Sequence, residues 1–210
     1  DHLDYHRDME AYFNAKTRLF SEVLMEEGVA VLNADIKEFK KLRDICTEKK
    51  IKILTFGRAK CADIRLLNLQ PNLTQQEIEF EIMGINYQSK LSLMGEFQVM
   101  NVLAALGLIM ATQSDDVDLC IEALEKLTGV VGRLEHVATH ANGAPVIVDY
   151  AHTPDALKNS LKALREHVKG KLICVFGAGG GRDKDKRQLM GCVAEEFADL
   201  SVVTDDNPRN

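Results

Sequence analysis

Apolar positions change period several times along the first 130 residues, and each period predicts an element. Met9, Tyr12, Phe13, Leu19, Phe20, Val23 and Leu24 recur at helical spacing, which predicts a helix over Met9–Met25. Val29–Leu32 reads as a short strand, Ile36–Cys46 as a second helix, and Ile51–Phe56 as another strand closed by Gly57. Ile64–Leu69 is a further strand candidate. Glu77–Met83 and part of Tyr87–Met94 alternate, and Gly84 with Asn86 between them suggests a hairpin. Phe97–Met110 is apolar nearly all round, which predicts a buried helix, while Val117–Leu127 is amphipathic.

Near Gly129–Arg133 the character changes, and a domain boundary is expected there, giving domains 1–130 and 131–210. Val146–Val148, Leu172–Phe176 and Leu200–Val203 are short apolar runs suited to a parallel sheet covered on both faces. A helix between the first two carries Leu157, Leu161, Leu164 and Val168 on one stripe. Thr153 is placed to cap it, Pro154 to open it, and Asp155 to meet the positive end of its dipole. The second half therefore reads as a doubly wound α/β domain, whose ligands should sit beyond the carboxyl ends of the strands.

Composition narrows the function classes. Of the 210 residues 46% are apolar and 28% charged, with a net charge of −6, which suits a soluble globular protein and argues against a general nucleic-acid surface. The five cysteines form no CxxC pair, so a disulfide framework or zinc site is not expected, and a reducing cytoplasm fits. No apolar run is long enough for a membrane span. The chain opens without Met on a charged stretch and stops just after a turn signal, so both ends are expected to be cut from something longer.

Candidate chemistry sits in four places. Lys16 falls on the apolar stripe of the first helix; it either snorkels, or is buried, loses its proton and forms an anionic carbamate with carbon dioxide. Asp1-His2-Leu3-Asp4-Tyr5-His6 could hold Mg2+ or simply form a polar loop before the helix. The glycines of Gly177–Gly181, followed by Arg182, Asp183, Lys184, Lys186 and Arg187, suit an anion at a strand end, or a tight turn with a solvated charge run. Asp149-Tyr150-Ala151-His152, Arg182, and Asp205-Asp206-Asn207-Pro208-Arg209 follow three strands, which would bring them to one rim.

Together these residues resemble the Mur ligase family. The resemblance is carried by Val148–Asp155, by Phe176–Arg187, by Thr204–Arg209, by Asp1–His6 with Lys16, and by Leu93–Asn101, and it covers essentially the whole chain. Within the family it points to the branch that adds diaminopimelate. It implies part of a central P-loop-type ATPase domain, lacking its P-loop here, followed by a Rossmann-like parallel α/β domain. It also implies a monomeric, ATP- and Mg2+-dependent enzyme that joins meso-diaminopimelate to UDP-N-acetylmuramoyl-L-alanyl-D-glutamate through an acyl phosphate, with no nucleic-acid or membrane partner.

By the same resemblance, Lys16 would be carbamylated and would flank magnesium with His2. Asn101 would contact adenine, Arg133 and Asp149 the nucleotide, and His152 the phosphates. Arg182, Asp206, Asn207 and Arg209 would grip diaminopimelate. Two positions depart from the family pattern, Gln98 in place of Asn and Gln188 in place of Pro. No GxxxxGK[ST] loop occurs, so this stretch alone is expected to turn over no ATP. A folylpolyglutamate-type ligase and a non-catalytic binding module are the alternatives. The first would share an aspartate–alanine–histidine segment but not Asp206–Arg209.

Overall fold

The computed structural model describes residues 8–71, 75–112, 116–179 and 185–206. The chain forms two compact units. One combines residues up to Gln70 with Glu77–Leu91 and Gln98–Lys126; the other combines Pro71–Gln76, Ser92–Phe97 and residues from Leu127 onward.

In the first unit, Asp8 caps helix α1 (Met9–Arg18) by accepting the Ala11 N–H at 2.8 Å. The expected helix continues past Arg18, but as a five-residue π-helical turn, Leu19–Val23. Phe13, Phe20 and Leu24 pack on a core of Ala30 and Leu32 from β1 (Val29–Asn33), Leu42 and Cys46 from α2 (Phe39–Glu48), and Ile51 before β2 (Lys52–Gly57). Strands β1 and β2 run parallel from Val29↔Lys52 to Asn33↔Phe56. The sheet continues through β3 (Ile64–Pro71) and β4 (Gln76–Ile82) to β5 (Ile85–Leu91). Met83 and Gly84, at φ 47° and 88°, form the β4–β5 turn with both central residues left-handed, as a type I′ hairpin needs.

Helix α3 (Glu96–Ala111) buries Val99, Val102, Leu103, Leu106 and Gly107. A β-carbon at Gly107 would lie 2.8 Å from Val31, so the glycine is what lets this helix approach β1. The expected all-round burial is not met: Leu108 and Ile109 are exposed, because only one stripe of the helix faces the sheet. Asp116 caps the next helix, α4 (Val117–Leu124), through the Leu119 N–H.

The second unit contains β6 (Glu135–Thr139), β7 (Pro145–Val148), α5 (Pro154–Arg165), β8 (Ile173–Phe176), α6 (Asp185–Phe197) and β9 (Leu200–Val203). Thr153 accepts the Ala156 N–H and Pro154 opens α5, as expected from the sequence. Leu157 and Leu161 of α5 pack with Leu172, Cys174, Met190 and Ala194. β8 and β9 are parallel, from Ile173↔Leu200 to Phe176↔Val203.

The second half differs from its expectation in two respects. The three apolar runs do not share a sheet: β7 pairs antiparallel with β6, and β8 with β9. β6 is the neighbour in sequence, and a short turn at His140–Ala144 closes that hairpin, which makes it the pairing with the least loop entropy. Cover is also one-sided. Cys174 is buried against the helices, while Ile173, Val175, Leu200 and Val202 are exposed on the alternate face. Among the described residues no helix is long and apolar enough to cross a membrane.

Candidate functional site

In the first unit the structure moves Lys16 off the core. The buried stripe of the N-terminal helix runs through Phe13, Thr17, Phe20 and Leu24, and Thr17 closes it by donating to the Asn14 carbonyl at 2.8 Å. Lys16 flanks that stripe and is exposed, with Nζ 5.4 Å from the Tyr12 ring centroid. Of the two readings open for it, exposure agrees with snorkelling and not with burial, since apolar spacing alone did not separate residue 16 from residue 17. On α3, Asn101 is exposed and its amide donates to the Gln98 side-chain oxygen at 3.2 Å. One N–H and the carbonyl oxygen of Asn101 stay open, the pair an adenine edge can use. His2, Arg182, Asn207 and Arg209 lie outside the described residues.

In the second unit, Arg133, Asp149 and His152 gather around the end of β7. One Asp149 oxygen accepts the Leu134 N–H at 3.1 Å, and the other accepts the Ser160 hydroxyl. Leu134 is buried with φ 46°, an uncommon conformation for leucine, so the Asp149 bond helps hold a tight bend beside Arg133. The Arg133 guanidinium lies 4.7 Å from the Tyr150 ring centroid. His152 Nδ1 sits 3.1 Å from the Tyr150 carbonyl oxygen, which can only accept, so Nδ1 carries the proton and Nε2 is left to meet a ligand. The Lys186 ammonium donates to the His152 carbonyl at 3.2 Å, tying the start of α6 to the same turn.

At the carboxyl ends of β8 and β9 a cavity of about 330 Å³ is bordered by Phe176, Ala178, Arg187, Val203, Asp205 and Asp206. Its walls approach closely at Gly177. A β-carbon there would lie 2.5 Å from the Thr204 carbonyl oxygen and 3.0 Å from the Asp206 nitrogen. Arg187 donates to the Gly179 carbonyl at 3.4 Å. One guanidinium, two carboxylates and an apolar floor suit a ligand that carries both charges.

Other groups serve structure. Asp199, before β9, has a carboxyl held below its usual range, first by the Leu172 N–H and then by Arg165. Burial pushes the Cys46 and Cys174 thiols up, which makes them poor nucleophiles. Among the described residues no group of His, Cys, Asp or Glu side chains is arranged to hold a metal ion. Sequence reasoning gave no role of its own to Tyr150, which sat inside a motif whose neighbours carried the argument, while Gly177 and Arg187 entered only as members of an anion-binding run.

Comparison with known proteins identifies the family. Residues 1–109 match the family description Mur ligase middle domain, and residues 132–210 match Mur ligase, glutamate ligase domain. The chain is 45% identical over 210 residues to UDP-N-acetylmuramoyl-L-alanyl-D-glutamate–2,6-diaminopimelate ligase of Caulobacter vibrioides. It is 45% identical over 209 residues to the protein of that name from Zymomonas mobilis. All of this chain is covered in both comparisons, and it spans 43% of the length of these curated relatives. A solved structure of a protein with the same name aligns at 36% identity and TM-score 0.69, over 100% of this chain and 42% of the other. MurF from Acinetobacter baumannii aligns at TM-score 0.82 over 98% of this chain and 45% of its own, and at 19% identity it speaks for the fold alone.

Proposed function

Because the chain belongs to the Mur ligase family, we propose that it serves an ATP-dependent ligase adding meso-diaminopimelate to UDP-N-acetylmuramoyl-L-alanyl-D-glutamate. The observation that carries this reading is 45% identity over the whole chain to proteins of that name. Residues 1–130 belong to the ATP-binding domain and 131–210 to the domain that receives the amino acid.

ATP supplies the phosphoryl group that turns the terminal glutamate carboxylate into an acyl phosphate. The diaminopimelate amine then attacks the acyl carbon, phosphate leaves with the bonding electrons, and an amide forms. Little covalent chemistry falls to the protein, so catalysis rests on positioning and charge. Asn101 offers its open amide edge to adenine. Arg133 offers a guanidinium fork, and His152 offers Nε2, to phosphate or ribose oxygens. Asp149 has both oxygens engaged in the fold, yet each keeps a lone pair for a ribose hydroxyl. Within the second unit, Arg133, Asp149 and His152 together suit phosphate and ribose oxygens.

The amino acid takes the cavity bordered by Asp206. Asp206 faces its ammonium group, and Arg182, Asn207 and Arg209 complete the grip. Arginine suits that task, because its planar fork pairs a carboxylate bidentately. The described residues do not themselves build the magnesium site: Lys16 is exposed, its ammonium is no ligand unless it becomes a carbamate, and its expected companion His2 is not described.

The test is phosphate release by the full-length protein. Turnover should require ATP, the muramoyl dipeptide and diaminopimelate together. Steady phosphate release without the muramoyl dipeptide would overturn the reading.

A further inference from the structure

We propose that Tyr150 is a positioning residue whose ring and carbonyl fix the Arg133 guanidinium and the His152 imidazole for a bound anion. The identity of that anion, the phosphates of a nucleotide, rests on the function proposed above.

Tyr150 is 62% exposed, so burial in the core does not explain its place. Its ring carries two neighbours. The Arg133 guanidinium lies 4.7 Å from the ring centroid, and the His152 ring meets it edge-on at 5.0 Å and 67°. Its main chain adds a third contact, the carbonyl that accepts from His152 Nδ1 at 3.1 Å. Among the described residues no hydrogen bond or ion pair takes the Arg133 side chain. This cation–π contact holds the guanidinium without using its N–H groups, which lie in its own plane. An exposed arginine would otherwise lose rotamer freedom on meeting a ligand, and a ring that holds it beforehand lowers that loss. The same residue sets the His152 tautomer and leaves Nε2 open. Arg133 precedes β6 and His152 follows β7, so one aromatic residue joins groups from either side of a hairpin.

The experiment compares Tyr150→Phe and Tyr150→Leu in the full-length protein, with ADP as the calorimetric probe. The phenylalanine variant keeps the ring and should bind ADP like the wild type. The leucine variant should bind about fivefold more weakly, the order of one exposed cation–π contact, at an unchanged unfolding temperature. Arginine-labelled protein without ligand supplies a second readout. The Arg133 side-chain protons should be shifted upfield by the ring in wild type and Tyr150→Phe, and not in Tyr150→Leu. Equal ADP affinity in all three proteins, or unshifted Arg133 protons in the wild type, would overturn the proposal. Absence of ADP binding together with shifted protons would instead sink the nucleotide reading and leave the Tyr150–Arg133 arrangement supported.

Discussion

Gly177, just past β8, and Thr204, just past β9, approach so closely that a β-carbon on the first would lie 2.5 Å from the carbonyl oxygen of the second. The neighbour is backbone, held by the Thr204 N–H to the Phe176 carbonyl at 3.0 Å, and cannot swing aside. Gly177→Ala should therefore cost ~1–3 kcal/mol of stability as the two strand ends separate. It should also raise KM for diaminopimelate more than KM for ATP, because the displaced segment carries Asp206. Thermal unfolding and steady-state kinetics check the two parts separately.

Asp149 is expected to act on the fold as well as on a ligand. Asp149→Ala leaves the Leu134 N–H without its acceptor beside a buried leucine in a left-handed conformation, at a cost of ~1–3 kcal/mol. Asp149→Asn keeps an acceptor oxygen and should lose less. Ser160→Ala should lose least, since Asp149 then keeps its bond to the Leu134 N–H. Urea unfolding of the three variants gives the order.

The Asp199 carboxyl is held low by the Leu172 N–H first and Arg165 second, so the folded chain favours its ionised form. The stability it contributes is complete above the unfolded carboxylate value of ~3.9 and fades as pH falls through the lower folded value. Asp199→Asn should destabilise the protein at neutral pH and flatten its acid limb, so that variant and wild type converge in acid. Unfolding midpoints measured from neutral pH downward would show this. A variant curve parallel to the wild type throughout would contradict it.

Cysteine reactivity should follow burial. Cys46 and Cys174 are buried with raised thiol values, whereas Cys61 and Cys192 are exposed. Alkylation of the native protein, read by peptide mass, should label Cys61 and Cys192 first and leave Cys46 and Cys174 unmodified until it unfolds.

Where the sequence was legible, local rules and long-range packing agreed. Thr153-Pro154-Asp155 states a helix start whatever packs on it, and the alternation around Gly84 states a hairpin. Lys16 stayed open between snorkelling and burial because a broad apolar stripe cannot show which of residues 16 and 17 faces the core until the contacts of Phe13 and Phe20 are known, and the structure exposes it. The strand Val146–Val148 was assigned to the wrong neighbours because an apolar run specifies burial and not a pairing partner. At the candidate site the charged residues were visible as motif positions. Gly177 was visible as part of a glycine run, but its close approach to Thr204 was not, and neither was the Tyr150 ring platform, since both acquire meaning only from distances in space.

The central claim, that this chain serves a ligase selective for diaminopimelate, is tested most directly by comparing kcat/KM for meso-diaminopimelate and L-lysine in the full-length protein. Lysine has the same amine but lacks the distal carboxylate assigned to Arg209, so the arginine fork would be left without its partner. The account predicts a preference for diaminopimelate of at least about 100-fold. Equal turnover of the two amino acids would contradict it.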